Sequence, residues 1–349
     1  MVLTPTHRLT LSSMSKSAFT PLLLLLGIWL LAACGPSKDK ARFEGKLENI
    51  SDAEFYAYTD DGTSDRFDTI RITDGSFVYE RKLSGPVLLT LLYPNFTQSY
   101  VILQPGKTVK MRGDASKIGE ASITGTEDNE LLTDFNHANA SVSENNRRMA
   151  AAEFVRSHAS SLAAVAVFRK YFAQVEQPDA RKALPLLDEL LKAQPQSQGL
   201  RYLDAYLRPI LKAGTGQPMP QFTASTLDGK TVSTKDFAGQ PYVVVSFASW
   251  NSKSVAFLRQ LKSLLRETGM RPWRCLLLSV DVDAKQCRDA LRQDSISWPV
   301  VCDEQAFRSQ LIRQLGANRV PSCFLVNAQG RIIARDIVDI DQLRQKLRQ

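Results

Sequence analysis

The sequence predicts an α/β carboxyl-terminal domain preceded by a small antiparallel β-sandwich and a helical connector. Three observations carry this expectation. Short period-two apolar runs separated by turn residues fill the stretch from about Arg42 to Gly125, helical spacing dominates from Thr126 to about Lys212, and strands alternate with helices from about Gly216 onward. The length of 349 residues suits two or three domains once a leader is set aside.

The leader comes first in the chain. Leu22 to Leu31 is apolar, is preceded by Arg8 and Lys16 without any acidic residue, and runs into Leu31-Ala32-Ala33-Cys34-Gly35. This apolar run falls short of the roughly 20 residues that a bilayer demands, so it reads as a signal segment rather than a span. The closing five residues resemble a bacterial lipobox. That resemblance implies a signal peptide over 1–33, a lipid on Cys34, a solvated tether over 34–41, and a place in the bacterial cell envelope. Gly35 is not an Asp-type retention signal, which points to the outer membrane. Met14 offers a more compact start than Met1. Loss of 1–33 removes Arg8 and Lys16 and takes the formal charge from +8 to +6.

In the region 42–125, apolar runs such as Phe55-Tyr56-Ala57-Tyr58, Ile70-Arg71-Ile72, Phe77-Val78-Tyr79, Val87 to Leu91 and Val101-Ile102-Leu103 are broken by Asp60-Asp61-Gly62, Asp74-Gly75 and Pro105-Gly106. Frequent turns between such runs predict an antiparallel sandwich. Phe43-x-Gly45, Asp74-Gly75-Ser76-Phe77, Leu103-Gln104-Pro105-Gly106 and Ile123-Thr124-Gly125-Thr126 resemble the landmarks of an uncharacterised β domain found ahead of thioredoxin-like domains in Gram-negative lipoproteins. The resemblance implies architecture and no settled activity.

The region 126–213 opens on Thr126, an N-cap ahead of Glu127, Asp128 and Glu130, which suit the positive end of a helix. Stripes at Leu162, Val165, Phe168 and Phe172, and at Leu184, Leu187 and Leu191, read as core of helices that pack on both flanking domains. Pro178, Pro195 and Gly214-Thr215-Gly216-Gln217-Pro218 punctuate them.

In the region 214–349, Tyr242 to Phe247 is a buried strand, and Phe257, Leu258, Leu261, Leu264 and Leu265 mark the helix that follows. Further strands are expected at Cys275–Asp281, Cys323–Val326 and Arg331–Arg335, with helices at Ala284–Gln293 and Asp341–Leu347. Pro220 to Lys230, Asp236-Phe237-Ala238-Gly239-Gln240, Ala248-Ser249-Trp250 and Val320-Pro321 together resemble the TlpA-like, membrane-tethered branch of the thioredoxin superfamily. The resemblance implies a thioredoxin-like α/β fold and thiol–disulfide oxidoreductase ancestry. In that family a Cys-x-x-Cys pair follows the Trp, its first thiol activated at the helix start. Here those positions are Asn251 and Ser254, and neither side chain can form a mixed disulfide. The site is therefore degenerate, and Asn251 and Ser252 read as helix N-caps. Pro321 resembles the family's cis-proline, so Trp250, Val320 and Pro321 are the expected binding residues for an extended peptide or envelope protein, which needs main-chain groups rather than thiols.

Other chemistry has little to stand on. His137 and His158 fall outside the last domain, and no Gly-rich phosphate loop is present. Cofactors and metals are not expected, because Cys275, Cys287, Cys302 and Cys323 are not spaced as a knuckle or a redox pair. Arg259, Lys262 and Arg266 form a solvated face without interleaved aromatics, so nucleic acid is not expected either. Cys287 and Cys302 form a structural disulfide only if the intervening helix folds back. Two functions from different classes follow: a redox-inactive, lipid-anchored binding module, or a thiol–disulfide oxidoreductase working through a displaced Cys302 or Cys323.

Overall fold

The computed structural model describes residues 36–60, 62, 66–176, 178–267 and 274–347. The signal segment, Cys34, Gly35 and Asp61 of the first expected turn lie outside these residues.

Eight strands, β1 (Lys40–Glu48), β2 (Ala53–Tyr58), β3 (Phe67–Ile72), β4 (Ser76–Lys82), β5 (Val87–Leu92), β6 (Gln98–Leu103), β7 (Thr108–Asp114) and β8 (Ser122–Thr124), form two sheets of order β4-β1-β7-β8 and β3-β2-β5-β6. Alternation turns Phe77 and Tyr79 of β4 inward, where they join Phe43, Phe55, Leu89, Val101 and Met111 in one core. Phe43 meets Phe77 edge-on with ring centroids 4.9 Å apart. One pairing departs from the antiparallel expectation: β1 runs parallel to β7, with Phe43 opposite Val109. The Asp74-Gly75 turn requires its glycine, since φ is +71° and an added Cβ would lie 2.4 Å from the Leu47 carbonyl oxygen.

Five helices follow, α1 (Glu127–Ala138), α2 (Glu144–Ser157), α3 (Leu162–Phe168, widening into a π-type turn over Arg169–Ala173), α4 (Ala180–Ala193) and α5 (Gln198–Lys212). Thr126 caps α1 by accepting from the Asn129 N–H. The helices rest on the second sheet, because Leu132, Val167 and Phe168 share a core with Leu88, Tyr100 and Ile102. Asn129 of α1 stitches this contact by accepting from the Ile102 N–H and donating to its carbonyl.

The remaining chain makes a small hairpin, β9 (Thr223–Ser225) with β10 (Thr231–Ser233), and a five-stranded sheet of order β13-β12-β11-β14-β15. Its strands are β11 (Tyr242–Phe247), β12 (Arg274–Ser279), β13 (Val300–Val301), β14 (Ser322–Val326) and β15 (Ile332–Ile337). β11, β12 and β13 are mutually parallel, whereas β14 and β15 are antiparallel additions. Helices α6 (Ser252–Glu267), α7 (Ala284–Gln293), α8 (Gln310–Gln314) and α9 (Ile340–Leu347) cover the sheet. Every residue of β11 is buried because both faces are covered, by Phe257, Leu261 and Leu343 on one side and by Met219, Phe237 and Ile312 on the other.

This last domain is joined to α5 by close contact. Gly316 sits at φ +60° with no room for a Cβ, which would fall 2.8 Å from Ile210 Cα. Arg335 donates to the carbonyls of Ile210 and Ala213, satisfying groups that the end of α5 leaves open, and to the carbonyl of Gly316 in its own domain.

Candidate functional site

The expected site lies at the carboxyl end of β11, where the chain turns through Ala248-Ser249-Trp250 into α6. Ser246, the fifth residue of β11, donates its hydroxyl to the Arg319 carbonyl at 2.9 Å. This bond draws the segment before β14 against the corner. The Val320–Pro321 peptide there is cis, and the β11/β14 ladder ends at the Ser246–Ser322 pair, so Val320 lies beyond its last rung. Trp250 is 59% exposed at the same end of β11, while Pro321 is buried and Val320 half-buried.

Asn251 and Ser254, the two positions expected to correspond to the family's cysteine pair, have separate roles. Asn251 Oδ1 accepts from the Ser254 N–H at 2.8 Å, which makes Asn251 the N-cap of α6. Ser252 is not a second cap; it is the first residue of the helix. Ser254 is fully buried, and its hydroxyl has no hydrogen-bond partner among the described residues. The two described histidines are engaged elsewhere: His137 binds the Glu120 carbonyl, and His158 ends α2 against the Phe154 carbonyl.

Asp281, 1% exposed just past β12, organises the corner. Its Oδ1 accepts from the Ser249 N–H at 3.0 Å and hydroxyl at 2.8 Å, and its Oδ2 accepts from the Ser279 hydroxyl at 2.6 Å. The sequence names Ser249 within the Ala248-Ser249-Trp250 corner but gives Ser279 and Asp281 only as the end of an expected strand, with no sign of a carboxylate that organises the site.

The cysteines divide into two kinds. Cys275 and Cys323 are fully buried in the sheet core, and burial pushes both thiols up. Cys323 is thereby removed as a displaced nucleophile. Cys287 of α7 is buried in the core, and Cys302, which directly follows β13, packs against the same core cluster. The expected structural disulfide is not formed, since all four described thiols are free. Interaction with Cys287 holds the Cys302 thiol below its ordinary range, against the opposing effect of burial, and raises Cys287.

The basic face of α6 is less solvated than expected. Arg259 pairs with Asp294 at 2.8 Å, and Lys262 donates to the carbonyls of Asp294 and Ser295, tying α6 to the end of α7. Among the described residues no cluster of three metal-ligating side chains occurs, and no helix is long and apolar enough to cross a membrane.

Residues 215–335 match the model of the AhpC/TSA family, and residues 41–132 match a domain of unknown function, DUF4369. The thiol-disulfide oxidoreductase ResA of Bacillus thuringiensis subsp. konkukian is 22% identical over 140 residues, covering 39% of this chain and 76% of that protein. Among solved structures, the carboxyl-terminal domain of a putative thiol-disulfide oxidoreductase from Bacteroides thetaiotaomicron is similar at 24% identity and TM-score 0.35, over 39% of this chain and 95% of that one. A thiol-disulfide oxidoreductase from Bacteroides fragilis is similar at 25% identity and TM-score 0.34, over 37% and 99%.

The orphaned hydroxyl makes a direct prediction. Ser254→Ala should stabilise the protein by about 1 kcal/mol in urea unfolding, because it removes an unsatisfied buried polar group. Asn251→Ala should destabilise it by about 1 kcal/mol through loss of the cap. A destabilised Ser254→Ala would mean that the hydroxyl has a partner. With β11 to β15 in the order described and the corner at the end of β11, the carboxyl-terminal domain has a thioredoxin-like fold, matching the AhpC/TSA family model over residues 215–335 and similar over this stretch to thiol-disulfide oxidoreductases.

Proposed function

We propose that this protein is a lipid-anchored, thioredoxin-like binding module of the bacterial cell envelope, whose corner holds an extended protein or peptide segment and performs no thiol exchange. The observation that carries this reading is the combination of an intact corner with Asn251 and Ser254 in place of thiols. Strand-like pairing needs exposed main-chain groups beside an apolar surface, and the end of the β11/β14 ladder next to the exposed Trp250 supplies both. ResA, a relative named as a thiol-disulfide oxidoreductase, suggests the ancestral activity of the fold; fold similarity does not carry that activity to a corner without sulfur.

The anchor is proposed from the sequence. Cys34 would carry the lipid after removal of 1–33, and 34–41 would tether the sandwich to the outer membrane. Cys34→Ala should move the protein from the membrane fraction to the soluble fraction. Retention of that variant in the membrane fraction would contradict the anchor.

Peptide binding is tested by calorimetry with reduced, carboxymethylated insulin B chain as an extended, thiol-free probe. Trp250→Ala should weaken binding about tenfold or more, the usual effect of truncating a central aromatic anchor. Equal affinity for the natural protein and the variant would remove the corner as the binding surface.

A further inference from the structure

β15 is irregular where it passes the corner. Cys323 of β14 faces Ile337 and Leu325 faces Ala334, so that Arg335 and Asp336 together oppose the single residue Phe324. This is a β-bulge, which adds one residue to a strand and re-aims its side chains. Asp336 completes it at φ 57°, in the left-handed region that aspartate tolerates better than most non-glycine residues. In a regular strand consecutive side chains point to opposite faces, whereas here the two neighbours bond to each other.

The pair joins the connector to the corner. Arg335 lies over the Phe324 ring, its guanidinium carbon 4.9 Å from the centroid, and its Nη1 donates to the carbonyls of Ile210 at 2.8 Å and Ala213 at 2.9 Å. Its side chain is only 8% exposed, and its Nε donates to Asp336 Oδ2 at 2.7 Å, so the buried cation is paired with the next residue. The other carboxylate oxygen, Oδ1, accepts from the Ser322 hydroxyl at 3.3 Å. Ser322 directly follows Pro321, and its carbonyl accepts from the Ser246 hydroxyl at 3.3 Å. The first residue of β14 is thus gripped from both sides, by the strand that leads into the corner and by the bulge that holds α5.

We propose that Arg335 and Asp336 are positioning residues of the corner: α5 holds Arg335, Arg335 holds Asp336, and Asp336 fixes Ser322 and with it the Val320–Pro321 segment that an extended peptide meets. This role rests on the corner being the peptide-binding surface, and it adds that the connector governs how tightly the corner binds. In it neither residue touches the peptide. Ser322 is fully buried, so its hydroxyl, once deprived of Asp336, carries a desolvation cost that movement of the segment relieves.

The test uses the full chain in calorimetry with reduced, carboxymethylated insulin B chain, and in amide hydrogen exchange without peptide. Asp336→Gly removes the carboxylate at a backbone angle that glycine adopts freely. Asp336→Gly, Ser322→Ala and Arg335→Lys should each weaken binding about fivefold at unchanged stoichiometry, the loss of one modest coupling. The double variant Asp336→Gly with Ser322→Ala should bind no more weakly than either single one, because both break the same chain of bonds. Asp336→Asn, which keeps an acceptor for Ser322 and tolerates the same backbone angle, should bind within about twofold of the natural protein. Without peptide, Asp336→Gly should speed exchange in the fragment 319–323 and leave α6 at its natural rate, whereas a merely stabilising residue would change both together.

If the natural protein binds the probe and Asp336→Gly and Ser322→Ala bind it equally well, the positioning role is overturned and peptide binding at the corner stands. If the natural protein binds no probe, peptide binding at the corner fails and the connector's control of it fails with it. An exchange rate in 319–323 that Asp336→Gly leaves unchanged overturns the positioning role whatever the calorimetry shows.

Discussion

The corner of the thioredoxin-like domain depends on the buried carboxylate of Asp281. It accepts from both donors of Ser249 on the turn after β11 and from Ser279 at the end of β12, and its backbone carbonyl faces Cys302 beyond β13. One residue therefore holds the ends of three parallel strands together. A carboxylate so deeply buried is tolerable only with its acceptor capacity filled, and the hydroxyls and the N–H fill it. None of these bonds involves Asn251 or Ser254, so the shape of the turn does not depend on either side chain.

The replacements at 251 and 254 obey the same economy of local bonding. The first turn of a helix needs an acceptor for its free N–H groups, and Asn251 supplies one at 2.8 Å. Ser254 faces a site closed to water, where a sulfur would be content and a hydroxyl is left without a partner. The helix start is thus capped at one position and left with an unpartnered hydroxyl among the described residues at the other.

Much of this fold was legible because local pattern and tertiary burial agree. The unbroken apolar run Tyr242 to Phe247 is a strand covered on both faces, Asp283 caps a helix spanning Ala284–Gln293, and Thr126 caps the first connector helix as its residue type implies. Where the decisive partner is remote, the sequence was silent. The strand Val300–Val301 is two residues long and exists only through its pairing with β12, and nothing in β1 announces that one of its neighbours runs parallel. Pro185 lies inside α4 although proline marks helix ends elsewhere in the connector. The site was legible in part for the same reason. The Ser246 bond that gathers Pro321 to the corner and the burial of Ser254 both depend on segments far apart in the chain.

The central claim is that the frame of the exchange site persists while its thiols are gone. The most direct test restores them by Asn251→Cys and Ser254→Cys in a protein already carrying Cys287→Ala and Cys302→Ala, and follows dithiothreitol-driven reduction of insulin. The account predicts that the protein with only the two alanines is silent and that adding the two cysteines produces turnover. Turnover before they are added, or silence afterwards in a folded protein, would contradict it.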